Sequence, residues 1–539
     1  MRTYREFEPT FGDRRCWTLP WILRERARTH GDRVFMDVPW EGRSFTYAQM
    51  LDGATRIATG LLAAGCETGD RAVIMAPNSP DYVLAWFGSA LAGMAEVPLN
   101  TAYEGTFLEH QVRTTRPRVV VVDPALAPRF LDGGDAYASI ERFYVLPGER
   151  RDEAIALVRA SGRAADPFDV LKETAPGDGL PEVDYRDLAA IFFTSGTTGL
   201  SKGVMMSHSH LAFFADQGRA MTRLTDADTY MSVGPLFHGN AQFLAAYPAL
   251  MVGARFVLQQ RFSASRWIDQ IRDAGATVTN FVGVMTDFVH KQPARPDDAD
   301  NALRCIYAVP TPDSIAVAFK ERFGVEALLE SFGSTEASLP IVTPYGQERP
   351  AGAAGVLLDE WFDVRIVDPE TDEELPVGEV GELLVRSHVP WTMLSGYYGM
   401  PDRTAEALRN QWFHTGDAVR RDADGWFYFV DRLKDAIRRR GENISSYEVE
   451  QAVLAHPDIV DCAAVAVPAG VEAGEDNVAL FVVVAGEAAI DEADVREWCD
   501  HRLPVFARPS LITLVGELPY TPSGKVRKVE LRELLAARA

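Results

Sequence analysis

Residues 188–203 read Leu-Ala-Ala-Ile-Phe-Phe-Thr-Ser-Gly-Thr-Thr-Gly-Leu-Ser-Lys-Gly, an apolar run that breaks into hydroxyls and glycines and closes on one lysine. Leu188 to Phe193 has the length and composition of a buried strand. The stretch from Thr194 to Gly203 suits a polyphosphate. Glycine lets backbone N–H groups approach closely, hydroxyls donate, and Lys202 adds charge. The spacing is not the G-x-x-x-x-G-K-[ST] loop of P-loop NTPases, and a flexible Ser/Gly linker is the alternative reading.

Working outward, short β-branched runs alternate with amphipathic stretches on both sides of this segment. Arg71 to Ala76 and Val119 to Asp123 read as strands flanking a helical stretch from Asp81 to Met94. Further on, Ala254 to Leu258 precedes a helical stretch from Ser263 to Ala274. Thr277 to Val284 and Cys305 to Val309 read as strands, the latter before a helix ending near Phe323. Repeated strand–helix alternation predicts parallel sheets covered by helices. From about Gly352 the pattern changes to strands with turns: Asp363 to Val367, Glu379 to Arg386, and a hairpin from Ala418 to Val430 around Asp422-Ala-Asp-Gly425. The tract Ala351-Gly-Ala-Ala-Gly355 reads as a loop. After Asp431-Arg-Leu-Lys-Asp435 comes a compact α+β segment. It has helices near Ser446 and from Glu492 to Arg502, and strands at Ala463 to Val467 and Ala479 to Val484.

The 539 residues carry 54 Lys+Arg against 77 Asp+Glu, a formal net charge of −23, so the overall field repels nucleic acid and anionic lipid. An anionic ligand therefore needs a local site. The five cysteines, Cys16, Cys66, Cys305, Cys462 and Cys499, are scattered without a C-x-x-C pair, which argues against a disulfide framework or zinc site. A reducing cytoplasm is the expected location, and no signal peptide is visible at the amino end. The long uncharged stretch Thr229 to Ala254 is broken by Gly234, Pro235, His238, Asn240, Gln242 and Pro248, so it reads as buried core and no membrane insertion is expected.

Five segments, Thr194 to Gly203, Ser331-Phe-Gly-Ser-Thr-Glu336, Trp412-Phe-His-Thr-Gly-Asp417, Asp431-Arg-Leu-Lys-Asp435 and Pro522-Ser-Gly-Lys-Val526, resemble in order and spacing the signatures of the adenylate-forming (ANL) superfamily. That superfamily includes acyl- and aryl-CoA synthetases, peptide-synthetase adenylation domains and luciferases. Leu236-Phe-His-Gly-Asn-Ala-Gln242 and Arg440-Gly-Glu-Asn-Ile-Ser445 look closest to the carnitine/crotonobetaine-CoA ligase-like branch. The resemblance implies an α/β fold. Residues 1–431 would form a large N-terminal domain of two αβ sheets plus a β-barrel-like subdomain that binds ATP and substrate. Residues 432–434 would form a hinge and 435–539 a small mobile α+β lid.

The implied chemistry has two steps. A carboxylate attacks the α-phosphorus of MgATP, giving an acyl-adenylate and pyrophosphate, and a thiol, that of CoA, then captures the acyl group. An anion attacking a polyanion demands charge neutralisation and alignment. By resemblance, Thr194, Ser195, Gly196, Thr197, Thr198 and Lys202 cradle phosphate. Phe332 and Gly333 lie along the adenine, with Phe332 replacing the commoner tyrosine, Ser334 belongs to the same nucleotide-binding set, and Thr335 contacts phosphate. Glu336 helps hold Mg²⁺, a hard cation preferring oxygen. Asp417 has acceptor-only oxygens suited to the ribose hydroxyls. Arg432 reaches the nucleotide, Lys434 is the pivot, and Gly441 borders the pantetheine tunnel. Lys525 bridges the attacking carboxylate and the α-phosphate, although a lysine in a Pro-Ser-Gly-Lys turn, judged alone, is a solvated surface group.

His238 falls where related enzymes gate the acyl pocket, and a satisfied core histidine is the other reading. His208 and His210 form an H-x-H without an acidic or cysteine partner nearby, so a helix terminus accounts for them better than a metal. The acid would lie among His238 to Gln242, Phe281 to Asp287, Tyr307 to Pro312 and Ser331 to Ser338. Pro310 and Pro312 stiffen the third of these. Asp287 and Glu330 are candidate anchors for an amino or quaternary ammonium group. Phe281 and Tyr307 suit either an aryl ring or the core. The partners expected are small-molecule substrates, and a homodimer is compatible with the sequence. The rival readings are adenylation with a non-CoA acceptor, including ATP-dependent nitrite activation that diazotises an aromatic amine, and a catalytically silent nucleotide-binding protein.

Overall fold

The computed structural model describes residues 2–194, 200–282, 285–309, 311, 313–432, 436–439, 442–469, 475–485, 490–520 and 526–536. The chain divides into two compact units. One comprises Met1–Thr101, Thr115–Phe192 and Gly203–Asp431; the other comprises Ala102–Thr114, Phe193–Lys202 and Arg432–Ala539. The fold is α/β, with a large N-terminal domain of several sheets and a small C-terminal α+β domain.

One seven-stranded sheet has the order Ala164–Pro167, Arg142–Val145, Val119–Val122, Arg71–Met75, Ala95–Pro98, Leu188–Thr194 and Lys202–Ser207. Its first six strands are parallel. All four valines of Val119–Val122 are buried, and each contributes about 1.5–3 kcal/mol of apolar burial. The helix Pro80–Leu91 is buried at every position; Ser79 caps it by accepting the Tyr82 N–H, and Pro80 opens it. The second sheet runs Ala327–Leu329, Cys305–Val309, Val278–Val282, Thr229–Ser232, Arg255–Leu258, Val34–Val38 and Arg43–Thr46. It is parallel except for its last, antiparallel pair.

The third sheet is built from antiparallel pairs in the order Ser331–Ser334, Ser338–Val342, Ala353–Leu357, Trp426–Arg432, Phe413–Arg421, Val380–Ser387 and Phe362–Val367. Here one expectation is corrected: the tract 351–355 is not all loop, because Ala353–Leu357 is a fully buried strand. Gly355 sits at φ +147°, where a Cβ would meet the Val342 carbonyl carbon at 2.4 Å, so its smallness serves a close strand approach. The helix expected from Ser263 begins only at Trp267 and ends at Ala274. Lys202–Ser207 is a strand that Ser/Gly-rich flanks had hidden.

In the smaller unit the strands Ile459–Pro468, Asp476–Val484 and Leu511–Leu514 form a three-stranded sheet, with the hairpin Ala436–Arg439 and Glu442–Ser445 beside the helix Ser446–Leu454. Asp491 caps the helix Glu492–Arg502 through a reciprocal capping box with Asp494. Among the described residues no helix is long and apolar enough to cross a membrane.

Candidate active site

The segment expected along the adenine lies in a tight β-hairpin. Phe332, Gly333 and Ser334 belong to the strand Ser331–Ser334, which turns directly into Ser338–Val342. A Cβ on Gly333 would lie 2.1 Å from the Ser338 carbonyl oxygen, so this backbone approach requires glycine. Ser334 Oγ accepts the Ala337 N–H at 3.2 Å and closes the turn through Thr335 and Glu336. Phe332 stacks on Phe429 of the strand Trp426–Arg432, three positions along the same sheet, with ring centroids 6.4 Å apart, and Phe429 is 47 % exposed. The pair presents an aromatic surface on one face of the sheet.

Glu336 is buried and accepts the Tyr397 hydroxyl at 3.2 Å, while its carbonyl accepts the Leu394 N–H. Burial and the adjacent carboxylate raise the Tyr397 phenol above its ordinary value, so it remains a donor. Asp417 lies in the strand Phe413–Arg421 of the same sheet and is buried. Its N–H donates to Thr415 Oγ1 at 3.1 Å, and Thr415 in turn donates to the Leu383 carbonyl. The preceding Gly416 N–H donates to Glu382 Oε1 at 3.0 Å, and the His414 ring lies 3.0 Å from Glu382 Oε2. Burial pushes the Glu382 carboxyl up, but His414, Gly416 and Arg409 outweigh it and hold the group below its ordinary value. Asp372 joins Glu382 and His414 in a cluster of metal-ligating types, but Arg409 lies 3.3–3.4 Å from both carboxylates and already supplies a cation to the pair.

The segment expected to bind phosphate is described only at its ends. Thr194 ends the strand Leu188–Thr194 and Lys202 begins the strand Lys202–Ser207. Ser201 is held on both sides: its N–H donates to Glu448 Oε1 at 2.8 Å, and its carbonyl lies 2.8 Å from His110 Nε2. Burial pushes the Glu448 carboxyl up to about 7 despite that hydrogen bond. Ser195, Gly196, Thr197, Thr198, Lys434, Gly441 and Lys525 lie outside the described residues, as do Pro310 and Pro312. Arg432 is the last residue of the strand Trp426–Arg432.

His238 precedes the short helix Gly239–Ala241 and is half-buried, with its ring 4.9 Å from Phe237. His208 and His210 open the helix His208–Thr222, capped by Ser207, and burial pushes both down to about 3, so both are neutral. Phe281 is core, packed on Trp267 at 5.1 Å, and Tyr307 is buried with its hydroxyl 2.6 Å from Ser331 Oγ. The proposed ammonium anchors are already engaged. Asp287 pairs with Lys291 at 2.6 Å, and Glu330 pairs with Arg349 at 3.0 Å with both side chains mostly buried. Sequence reading had not singled out Glu382, Tyr397 or Glu448. Glu382 alone left a trace, as an acid within the apolar strand Val380–Ser387.

Residues 23–398 match the family of AMP-binding enzymes, and residues 448–525 match the AMP-binding enzyme C-terminal domain. The chain is 31 % identical over 511 residues to the crotonobetaine/carnitine–CoA ligase of Salmonella paratyphi B (strain ATCC BAA-1250 / SPB7), covering 94 % of this chain and 97 % of the relative. It is similar to the solved structure of apo MatB from Rhodopseudomonas palustris, with 26 % identity, TM-score 0.66 and coverage of 96 % and 98 %. The o-succinylbenzoate CoA synthetase MenE from Bacillus subtilis, solved with a product analogue, shares the fold with TM-score 0.79, 23 % identity and coverage of 95 % and 98 %.

Proposed function

This chain belongs to the AMP-binding enzyme family, as an ATP-dependent, AMP-forming acid–CoA ligase family enzyme, and from that premise we propose that it activates an alkyl or aryl carboxylate whose tail carries no ammonium group and passes it to CoA. In this reading Phe332 and Gly333 receive the adenine, Asp417 the ribose hydroxyls, and Thr194, Thr335 and Lys202 the phosphates.

The residues present suit a nucleotide and Mg²⁺. Gly333 lets the hairpin close against the Ser338 carbonyl, where a Cβ would clash, and so holds Phe332 and the turn to Glu336 in place. Glu336 offers hard carboxylate oxygen oriented by Tyr397. Mg²⁺ would supply neutralisation of phosphate charge there. Asp417 accepts from the ribose, Glu336 holds the metal side, and Lys525 places a cation where negative charge accumulates between the attacking carboxylate and the α-phosphate. His238 gates the acyl side. Residues 432–434 act as the hinge between the larger domain, 1–431, and the lid, 435–539.

The observation that supports the substrate class best is the Glu330–Arg349 ion pair. A buried carboxylate neutralised by its own guanidinium has little left to offer a quaternary ammonium. The test is pyrophosphate release with MgATP, CoA and a panel of o-succinylbenzoate, benzoate, hexanoate, crotonobetaine and carnitine, with products identified by mass. An uncharged-tail acid should be turned over faster than crotonobetaine. Preference for crotonobetaine or carnitine overturns the substrate reading. A parallel arm with nitrite and an aryl amine would overturn the CoA reading if the diazonium product formed instead.

A further inference from the structure

Beneath the His238 segment lies a carboxyl group that the adenylation chemistry does not use. Glu96, in the fully buried strand Ala95–Pro98, is 1 % exposed and pairs with Ala72 on one side and Ala190 on the other, one strand from the phosphate segment's approach. Its Oε1 accepts Gln242 Nε2 at 3.0 Å and, more weakly, the Tyr82 hydroxyl at 3.4 Å. The same Gln242 Nε2 donates to the Leu236 carbonyl at 2.7 Å, closing the loop 236–242 across His238. Asn78 fixes the loop's entry, accepting the Leu236 N–H and donating to the Gly234 carbonyl.

Two atoms in this pair have no hydrogen-bond partner among the described residues: Glu96 Oε2 and Gln242 Oε1. A carboxylate cannot satisfy either, because both are acceptors. A carboxylic acid satisfies both, since its O–H can donate to the carboxamide oxygen while its carbonyl accepts the carboxamide N–H. We propose that Glu96 is a positioning residue for the acyl site, holding a proton that clamps Gln242 and thereby the loop carrying His238, and that loss of this proton loosens the loop. Burial pushes the Glu96 carboxyl up to about 8, against the lowering effect of Gln242 and Tyr82. The groups facing it are consistent with this. Ala72 and Ala190 flank it in the sheet, burial keeps Tyr82 protonated well above its ordinary value, and His210, on a helix packed against Gln242–Ala246, is neutral throughout. No charged side chain is hydrogen-bonded to or ion-paired with Glu96 among the described residues.

Glu96→Gln separates this role from simple burial, because a carboxamide can keep both arms of the pair at every pH. The first measurement needs no acyl substrate: infrared titration and hydrogen exchange of the full chain, corrected for the intrinsic pH dependence of exchange. The wild-type minus Glu96→Gln difference spectrum should show a protonated-carboxyl band at pH 7, over and above the contribution Glu448 makes to both proteins. Protection of the peptide covering 236–246 should fall about tenfold per pH unit above 8 in the wild type and stay level in the variant. The second measurement rests on the adenylation reading and uses the acid of the panel with the highest turnover. Its KM should rise several-fold between pH 7.5 and 9 in the wild type, stay flat in Glu96→Gln, and be raised at all pH values in Gln242→Leu, with the KM for ATP unchanged in each. Equal loss of protection in wild type and Glu96→Gln, or absence of the carboxyl band, overturns the proposal. Intact exchange and infrared signatures with no pyrophosphate release from any acid would instead overturn the adenylation reading.

Discussion

Glu382 and Gly416 are joined by a backbone N–H donated at 3.0 Å to a buried carboxylate that also receives the His414 ring. The residue after Gly416 is Asp417, so one side chain on the strand Val380–Ser387 sets the turn from which the proposed ribose ligand projects. Glu382→Ala should leave Gly416 without its acceptor and raise the KM for ATP about tenfold, with a smaller effect on the KM for the acid. Comparison of ATP with its 2′- and 3′-deoxy analogues checks the route. The wild type should discriminate against the analogues and Glu382→Ala should discriminate less, whereas undiminished discrimination would mean that Asp417 keeps its place without Glu382.

Two buried acids predict how stability changes with pH. Glu96 and Glu448 have folded-state values of about 8 and about 7, above their ordinary 4.5. The folded state therefore binds more protons than the unfolded state, and stability falls as pH climbs from near 4.5 to those values, levelling off above them. Each group accounts for a loss of about 3–5 kcal/mol over that range, as an order of magnitude. Thermal melts from pH 5 to 9 should show Glu96→Gln and Glu448→Gln losing less stability than the wild type towards high pH. Parallel pH dependence in all three proteins would refute the prediction.

The parallel sheets were legible because their strands are short, apolar and punctuated, as in Val119–Val122 and Cys305–Val309, where sequence and structure agree within a residue. The motif segments were legible as family signatures because their residues sit within a few positions of one another in the chain. What escaped were relations across the chain. Tyr397 reaches Glu336 from 61 residues away, and Glu382 reaches His414 from 32. No local pattern encodes such pairs, since they depend on which strands the sheet makes adjacent. Ala353–Leu357 escaped for the opposite reason: small residues that signal a loop by composition are those a crowded sheet needs.

The proposed division of labour between the two chemical steps predicts selective defects. Lys525→Ala should lower adenylate formation by about 10²–10³-fold, as loss of a charge-stabilising group does, yet spare thiolysis of supplied acyl-adenylate. Equal loss in both half-reactions would remove Lys525 from the first. Lys434→Pro, by fixing φ at the hinge, should impair one half-reaction and leave the other nearly intact. Single-turnover assays of each step read both outcomes.

Gly333 gives the sharpest steric prediction. An alanine there places a Cβ 2.1 Å from the Ser338 carbonyl oxygen and 2.7 Å from a methyl of Leu339, inside van der Waals contact with a backbone atom that cannot rotate away. The hairpin must open to accommodate it. Phe332, Ser334 and the turn through Glu336 are anchored on the same two strands, so their displacement shifts the proposed adenine surface and metal ligand together. Displacements of about 1 Å at such sites cost on the order of 10²-fold in rate. Gly333→Ala should therefore weaken ATP binding by calorimetry and depress kcat, while circular dichroism shows the fold retained. Leu339→Ala in the same chain would relieve the side-chain contact but leave the backbone clash. Recovery of activity in that double variant would show that the obstruction came from Leu339, and its absence would assign the requirement for glycine to the Ser338 carbonyl.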